Sequence, residues 1–592
     1  MKRQPTTWQQ AEAVLQTLSP GERAILLLIA RLPFVHTRAL ARLRGLHGAP
    51  ISTHRIIVKL TAAGLIAHTA IPASDVASAW LHYVTDLGIA VLALDMDVDA
   101  EQFARTFHID RGALDQLHLR ARQVHQVYEL LGMVASYGQG RPRLLAWEQP
   151  WQRPVPGSNE GIGLPARCVL RWPGAVSGSM LLLPDLATFP VLAYRRTLRR
   201  LTRVQASPDG VDEPIVVGTW SERRAAAIQE LAAEVASDEG LPPLAMFAAA
   251  WPAVPSLVPV VVRHCRQVRN ITFERQPVAG RLPATDEELP RAVGNRPPTS
   301  QLAALASSDM QLLTVIGRHP FLSLSEVGLV LGWTPAYGRW RCKRLIQRKL
   351  VRTLTAAEVG TAATAEPLEL TRLGVRLTAL WHGLPRRELT RLKLIFGGGG
   401  TRTSSTRSDL LRRFEHTQSV NRFFVDLGRL ARDSRRLGWN DELVEWQGLP
   451  ISRQNRPRPD AYGIFRHRGL DYGFFLEYDR GTERARQYER KLAGYYDFAQ
   501  SGRFERRFDS MPTLLFVTTS RVAERRIDTA ACAVVRAKGW RLPTLLTYQA
   551  LVDSDQKGLL GDVWREPGTR TRREWLTDDV GQALAAGVAA SR

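Results

Sequence analysis

Residues 458–491 read RPDAYGIFRHRGLDYGFFLEYDRGTERARQYERK. The runs Ala461 to His467 and Tyr472 to Glu477 are rich in β-formers and predict two adjacent strands; the polar run after Asp479 predicts a helix over 482–499. Asp460 then heads one strand and Glu477 ends the next, so the two acids meet at one sheet edge. Paired carboxylates at such an edge can hold a divalent cation such as Mg²⁺, which polarises a phosphate and activates water. Working outward, the spacing predicts a helix over 410–432 and a strand over 443–446 before this stretch. A strand over 513–518, a helix over 523–538 and a strand over 544–548 follow it. The order α-β-β-β-α-β-α-β predicts a mixed sheet with helices on both faces.

Much of this pattern occurs twice. Arg31-Leu32-Pro33-Phe34 is matched by Arg318-His319-Pro320-Phe321, and Val84 to Gly88 by Leu370 to Gly374. Each set brackets an order of helix, helix, helix and two strands, which predicts a winged helix-turn-helix. Farther on, Val124 to Gly132 resembles Val420 to Gly428, and Leu144 to Trp147 resembles Leu443 to Trp446. The segment Gly178 to Leu198 aligns with Tyr472 to Leu492 at a constant offset, so Asp185 falls on Asp479 and Tyr194 on Tyr488. On that offset Asp460 falls on Ala166, Glu477 on Leu183 and Lys491 on Thr197. The first α/β domain would therefore lack the acids of the second and is expected to be a catalytically inert scaffold or DNA cradle.

The expected fold class is α/β and α+β multidomain, arranged as a tandem duplication. The expected parts are a winged domain (15–95), an α/β domain (112–265) and a Pro- and Arg-rich linker (266–307). A second winged domain (308–384), a basic Gly-rich connector (385–408), a second α/β domain (409–565) and a tail (566–592) complete them. Gly397 to Gly400 has no Gly-Lys-Ser/Thr behind it, so it reads as a hinge rather than a nucleotide loop.

At 592 residues the chain exceeds a single core. Its net charge of +23 points to a polyanionic partner, most simply nucleic acid. A 44% hydrophobic content excludes a disordered polycation. Four separated cysteines, with no CxxC pair, argue against a zinc ribbon or a disulfide framework. No apolar run reaches the ~18 residues of a membrane span, and the polar start predicts no secretory signal, so a bacterial cytoplasmic location is expected. The charge concentrates in Gly338 to Arg352 (GRWRCKRLIQRKLVR), which has seven basic residues and no acid. As the third helix of a winged domain it would enter the major groove of double-stranded DNA, with Tyr337, Arg339, Trp340, Arg341, Lys343, Arg344 and Arg348 facing it. Trp340 could equally face the core. The corresponding helix of the first half offers only His54, Arg55 and Lys59 and is expected to bind more weakly.

Two resemblances follow from these residues. Pro459-Asp460 and Glu477-Tyr478-Asp479 are similar to the motif of the PD-(D/E)xK nuclease superfamily, which implies a restriction-endonuclease-like domain and a metal-dependent DNA endonuclease. The superfamily's lysine position is Asp479 here. The resemblance therefore implies that Lys491 substitutes from the following helix and steadies the phosphate, while Asp460 and Glu477 hold Mg²⁺ and Asp479 orients water or a second ion. More specifically, His416, Asn421 to Phe424, Trp439, Arg458 to Asp460, Phe475 to Glu483 and Lys491 to Tyr496 resemble the replication-relaxation family of bacterial, plasmid- and mobile-element-associated proteins. That implies a role in replication, relaxation or transfer of mobile DNA, with replication or conjugation proteins as partners. Two readings stay open: an active nuclease, or an inactive DNA-binding accessory factor or regulator in which these acids only cap strands and form ion pairs.

Overall fold

In the computed structural model, residues 7–576 are described apart from 45–50, 72–79, 138–142, 156–160, 173–176, 187, 208–212, 266–304, 360–365, 385, 392–393, 397–410, 412, 449–456, 482, 503, 505–507 and 509. The expected linker (266–307) and connector (385–408) lie mostly outside the described residues, as does the tail beyond 576. By contacts the chain divides into two units. One is Met1–Met310 with Leu377–Glu388, and the other is Gln311–Arg376 with Leu389–Arg592. Both mix helices with sheets, as the α/β reading requires.

In the first unit, helices Pro20–Arg31, Thr37–Leu43 and Ile51–Ala62 precede an antiparallel pair, Ile66–Ala70 with Trp80–Val84. Ser19 and Glu22 form a capping box around Pro20, which satisfies amide groups that the first helical turn leaves open. In the second unit the same order runs Ser307–Arg318, Glu326–Val330, Pro335–Gln347, then Val351–Thr353 paired with Leu368–Leu370.

Details fixed by physics recur in both. Phe34 and Phe321 sit at φ 69° and 73°, a left-handed conformation that side chains rarely adopt. Each donates its amide across to the strand pair, to His82 O and Leu368 O. Thr85 and Thr371 each cap the helix that follows, accepting from Gly88 N and Gly374 N. Their hydroxyls also donate to the carbonyls of Leu65 and Leu350. At Gly88 and Gly374 a Cβ would stand 2.1 Å from those same carbonyl oxygens, so neither position admits a side chain.

Each unit also carries a five-stranded sheet of one topology. In the first, Arg143–Glu148, Ala166–Arg171, Ser177–Pro184, Ile215–Thr219 and Met246–Ala250 lie side by side in sequence order. In the second, the strands are Glu442–Gly448, Ala461–His467, Leu470–Asp479, Thr513–Thr518 and Thr544–Tyr548. The first two pairings are antiparallel and the last two parallel in both. The edge strands share an irregularity, between Leu144 and Ala146 and between Leu443 and Glu445. Leu181 pairs with Ile215 as Phe475 pairs with Leu514.

The register corrects one alignment made from sequence. Ala166 pairs with Leu182 as Ala461 pairs with Leu476, so the first-unit counterpart of Asp460 is Pro165, not Ala166. The constant offset missed a one-residue difference in the turn between the two strands.

In the second unit, helices Ala485–Gln500 and Arg521–Lys538 cover one sheet face with Tyr488, Leu492, Tyr495, Ile527 and Ala531. On the other side Phe424 of helix Phe414–Arg436 stacks between Trp446 and Phe474. Trp575, expected in the tail, is buried against Phe474. Cys168, Cys265 and Cys342 are buried core thiols, and Cys532 is half-buried.

Candidate nucleic-acid interface and carboxylate pocket

Strand Leu470–Asp479 is central in its sheet, and its last residues stand beside the start of Ala461–His467. That placement brings the expected residues together. Asp460 N donates to Leu476 O at 2.9 Å, and Asp460 Oδ2 accepts from Tyr478 N at 2.8 Å. Lys491 Nζ forms an ion pair with Glu477 Oε2. Tyr495 OH donates to Glu477 Oε1 at 2.5 Å. Lys491 and Tyr495 are four residues apart and share one helix face, a spacing that would have revealed Tyr495 from sequence. His416 Nε2 lies 3.1 Å from Asp460 Oδ1. The family pattern included His416 without giving it a role; its helix position alone carries no signal that it reaches Asp460.

Glu477 forms the floor of this pocket, at 1% exposure, while Asp460, His416 and Lys491 are 20–30% exposed at its rim. Burial pushes the Glu477 carboxyl up, and Lys491 and Tyr495 only partly offset it. Burial alone would lower the Lys491 ammonium, but Glu477 and Asp460 outweigh it and hold the value up. The two shifts pull opposite ways on one pair. With two carboxylates facing one ammonium, Lys491 stays cationic. Burial also works against the Asp460 charge, but His416, Lys491 and the Tyr478 amide outweigh it and hold Asp460 below its usual range.

Asp479 turns elsewhere. It accepts from Gly481 N at 2.9 Å and Tyr488 OH at 2.6 Å, closing the strand-to-helix turn. Its first-unit counterpart Asp185 accepts from Tyr194 OH at 2.9 Å in the same way. Asp185 also takes Thr219 Oγ1 at 2.7 Å and Arg224 Nη2 at 2.9 Å. Arg224 Nε reaches Oδ2 as well, so four hydrogen bonds meet the two Asp185 oxygens, and Asp185 is 1% exposed.

The donor set of Asp460, Glu477 and His416 has the chemistry of a divalent-cation site. As arranged, though, all four carboxylate oxygens already meet protein donors, and Lys491 stands on Glu477. Holding Mg²⁺ there would require Lys491 and Tyr495 to release Glu477. Among the described residues, three candidate ligands converge instead at His36, His125 and Glu129 in the first unit. Sequence reading gave no sign of that group, because His36 comes from a strand and the other two from helix Ala121–Ala135. Glu129 is also tied into the fold there. His36 Nδ1 accepts from Ala39 N, while Nε2 lies 3.2 Å from Glu129 Oε1 without hydrogen-bond geometry. Arg42 takes the other oxygen at 2.8 Å.

Helix Pro335–Gln347 begins at Thr334, whose hydroxyl accepts from Tyr337 N, with Pro335 at the first position. Gly338, Cys342 and Leu345 face inward. Gly338 packs so closely on Gly328 that a Cβ would stand 2.8 Å from the Gly328 Cα. The opposite side therefore faces out: Arg339, Trp340 and Lys343 are exposed, and Trp340 at 49% is not a core residue. Arg341, Arg344 and Arg348 are half-buried along its flanks. In the first unit, Thr53, Ile57 and Leu60 face inward, so Arg55 occupies the place of Trp340. His54 and Arg55 are exposed there, and Lys59 is tied to Glu22 at 2.7 Å.

Residues 313–514 match the model of the replication-relaxation family. No curated protein and no solved structure matches the chain. The matched segment holds the exposed basic helix, His416, Asp460, Glu477 and Lys491, and it supports a general role in replication or relaxation. No helix among the described residues is long and apolar enough to cross a membrane.

Proposed function

We propose that the chain is a DNA-binding factor of replication or relaxation, acting on plasmid or mobile DNA beside replication or conjugation proteins. Its DNA contact is a winged helix-turn-helix in the second unit. The observation that carries this reading is helix Pro335–Gln347, with an acid-free outward face, inside the segment that matches the replication-relaxation family. The two units are read as copies of one ancestral pair, a winged domain and a restriction-endonuclease-like domain. The recurring left-handed phenylalanines, Thr caps, strand order and shared register support this. Arginines and lysines on that helix would neutralise phosphates and release counterions, so affinity should fall steeply with salt. Fluorescence anisotropy of the full chain with labelled DNA across a salt series tests it; a flat response would sink the reading.

A second reading, a metal-dependent DNA endonuclease, is favoured by the meeting of Asp460, Glu477 and Lys491 at one sheet edge. Pro165, Leu183 and Thr197 occupy those places in the first unit. Supercoiled plasmid incubated with Mg²⁺ or Mn²⁺ decides between the two. Nicking by the native chain, lost in Asp460→Ala/Glu477→Ala, would make it a nuclease. Plasmid that is shifted on a gel but intact keeps the binding reading.

A further inference from the structure

The outward face of helix Pro335–Gln347 is aromatic as well as basic. Trp340 is 49% exposed and Tyr337 37%, with their ring centroids 5.9 Å apart. Trp333 meets Tyr337 edge-on at 5.0 Å. Arg341 lies 5.4 Å from the Tyr337 ring and 5.1 Å from the Trp340 ring, and Arg344 lies 5.1 Å from Trp340. Arg341 Nε also donates to Tyr337 OH at 3.0 Å, which fixes the guanidinium against the two rings. Three aromatic rings and two cations therefore form one ordered surface on a helix whose inner face is already filled by Gly338, Cys342 and Leu345.

A contiguous group of exposed rings rimmed by charge marks a contact surface. The face of an aromatic ring suits the face of a nucleobase, and the flanking guanidiniums suit the adjoining phosphates. In unbroken duplex those base faces are stacked on one another, and only base edges reach the grooves. A base can use Trp340 only when it is out of the stack. The first unit provides the contrast, since Ser52 and Arg55 stand where Tyr337 and Trp340 stand and that helix carries no tyrosine or tryptophan.

We infer that Trp340 and Tyr337 form a stacking platform for an unpaired nucleobase, so that the preferred partner is DNA with a single-stranded stretch rather than continuous duplex. This rests on the DNA-binding reading above and narrows the double-stranded partner expected from sequence. The sequence contained the residues, but not the fact that both rings point outward together.

The test measures anisotropy of the full-length chain with three labelled probes at one low salt concentration: a 20-base oligo-dT, a 20-base-pair duplex, and that duplex with a 10-base dT tail. The tailed probe should bind about tenfold more tightly than the duplex, by the usual contribution of one stacked base. Trp340→Ala should bring the affinity for the tailed probe down to that for the duplex, and Trp340→Phe should restore most of the difference. Equal binding of duplex and tailed probes, or a preference that survives Trp340→Ala, overturns the platform while leaving DNA binding intact. Failure of all three probes to bind overturns the DNA-binding reading itself, and the platform with it.

Discussion

The two five-stranded sheets share strand order, direction and register, yet they treat the acid after the third strand differently. In the first unit Asp185 is enclosed by Tyr194, Thr219 and Arg224. In the second, Asp479 meets the tyrosine and the turn amide among the described residues, while Glu477, Lys491, Asp460 and His416 build a pocket open at its rim. One scaffold thus supports a sealed polar lock and an accessible charge cluster. The differing positions include Leu183 against Glu477, Thr197 against Lys491 and Pro165 against Asp460, besides Arg224 and His416 themselves.

That contrast can be broken most directly at Asp185. Asp185→Ala leaves Arg224 largely buried beside no counter-charge and should cost ~3–5 kcal/mol of first-unit stability. Glu477→Gln keeps the Tyr495 contact and leaves Lys491 facing Asp460, so it should cost only ~1 kcal/mol. Chemical denaturation of each variant compares them; equal losses would mean that the second pocket is a lock as well.

Acid should separate the units next. Burial lowers His36, His82, His118 and His125 in the first unit, His82 to about 4, whereas His319 is the buried, lowered histidine of the second. A histidine held below its unfolded value of ~6.5 contributes full stability above that pH. The contribution is lost as pH falls toward the folded value. Between pH 7 and pH 5 each strongly shifted group, His36 and His82 among them, should cost ~1–2 kcal/mol. Hydrogen exchange corrected for intrinsic rates should show the first unit loosening more than the second. Equal loosening would refute the assignment.

The shared frame predicts sameness elsewhere. Gly88→Ala and Gly374→Ala should each cost ~2–3 kcal/mol, because each new methyl meets a backbone carbonyl that cannot retreat. A marked inequality in melting temperature would weaken the claim of common descent. The smallest expected effect is at the outward helices. Arg339→Ala/Lys343→Ala should weaken DNA binding about tenfold and flatten its salt dependence, while His54→Ala/Arg55→Ala should change affinity less than twofold. Anisotropy titrations measure both.

Much of the frame was legible in the chain. Strands Ala461–His467, Thr513–Thr518 and Thr544–Tyr548 begin and end where β-formers give way to polar or helix-forming residues. Strand Leu470–Asp479 runs longer than its predicted 472–477, because pairing with both neighbours extends it through polar Asp471 and Asp479. Helix Phe414–Arg436 passes its expected end by four residues, since nothing in Asp433 to Arg436 stops it before Gly438 turns the chain. Asp460, Glu477 and Lys491 were legible as a group because two strands and one helix place them. His416 was not, because its partner is 44 residues away and only the packing of its helix on the sheet brings them together. The use of Asp479 as a turn lock was visible only through Tyr488, which both halves retain.

Helix Phe414–Arg436 behaves as a beam. Its first turns hold His416 on Asp460, one turn later Asn421 Nδ2 grips Pro320 O at 2.8 Å, and Gly428 lies against the Leu329 carbonyl. Beyond it, His319 lies flat on Trp446, which lies flat on Phe424. A rigid helix held at several points along its length transmits displacement instead of absorbing it. A load that tilts the Glu326–Val330 helix against Gly428 therefore has a continuous helical path to His416, which joins the pocket to helices Ser307–Arg318 and Glu326–Val330 through one element.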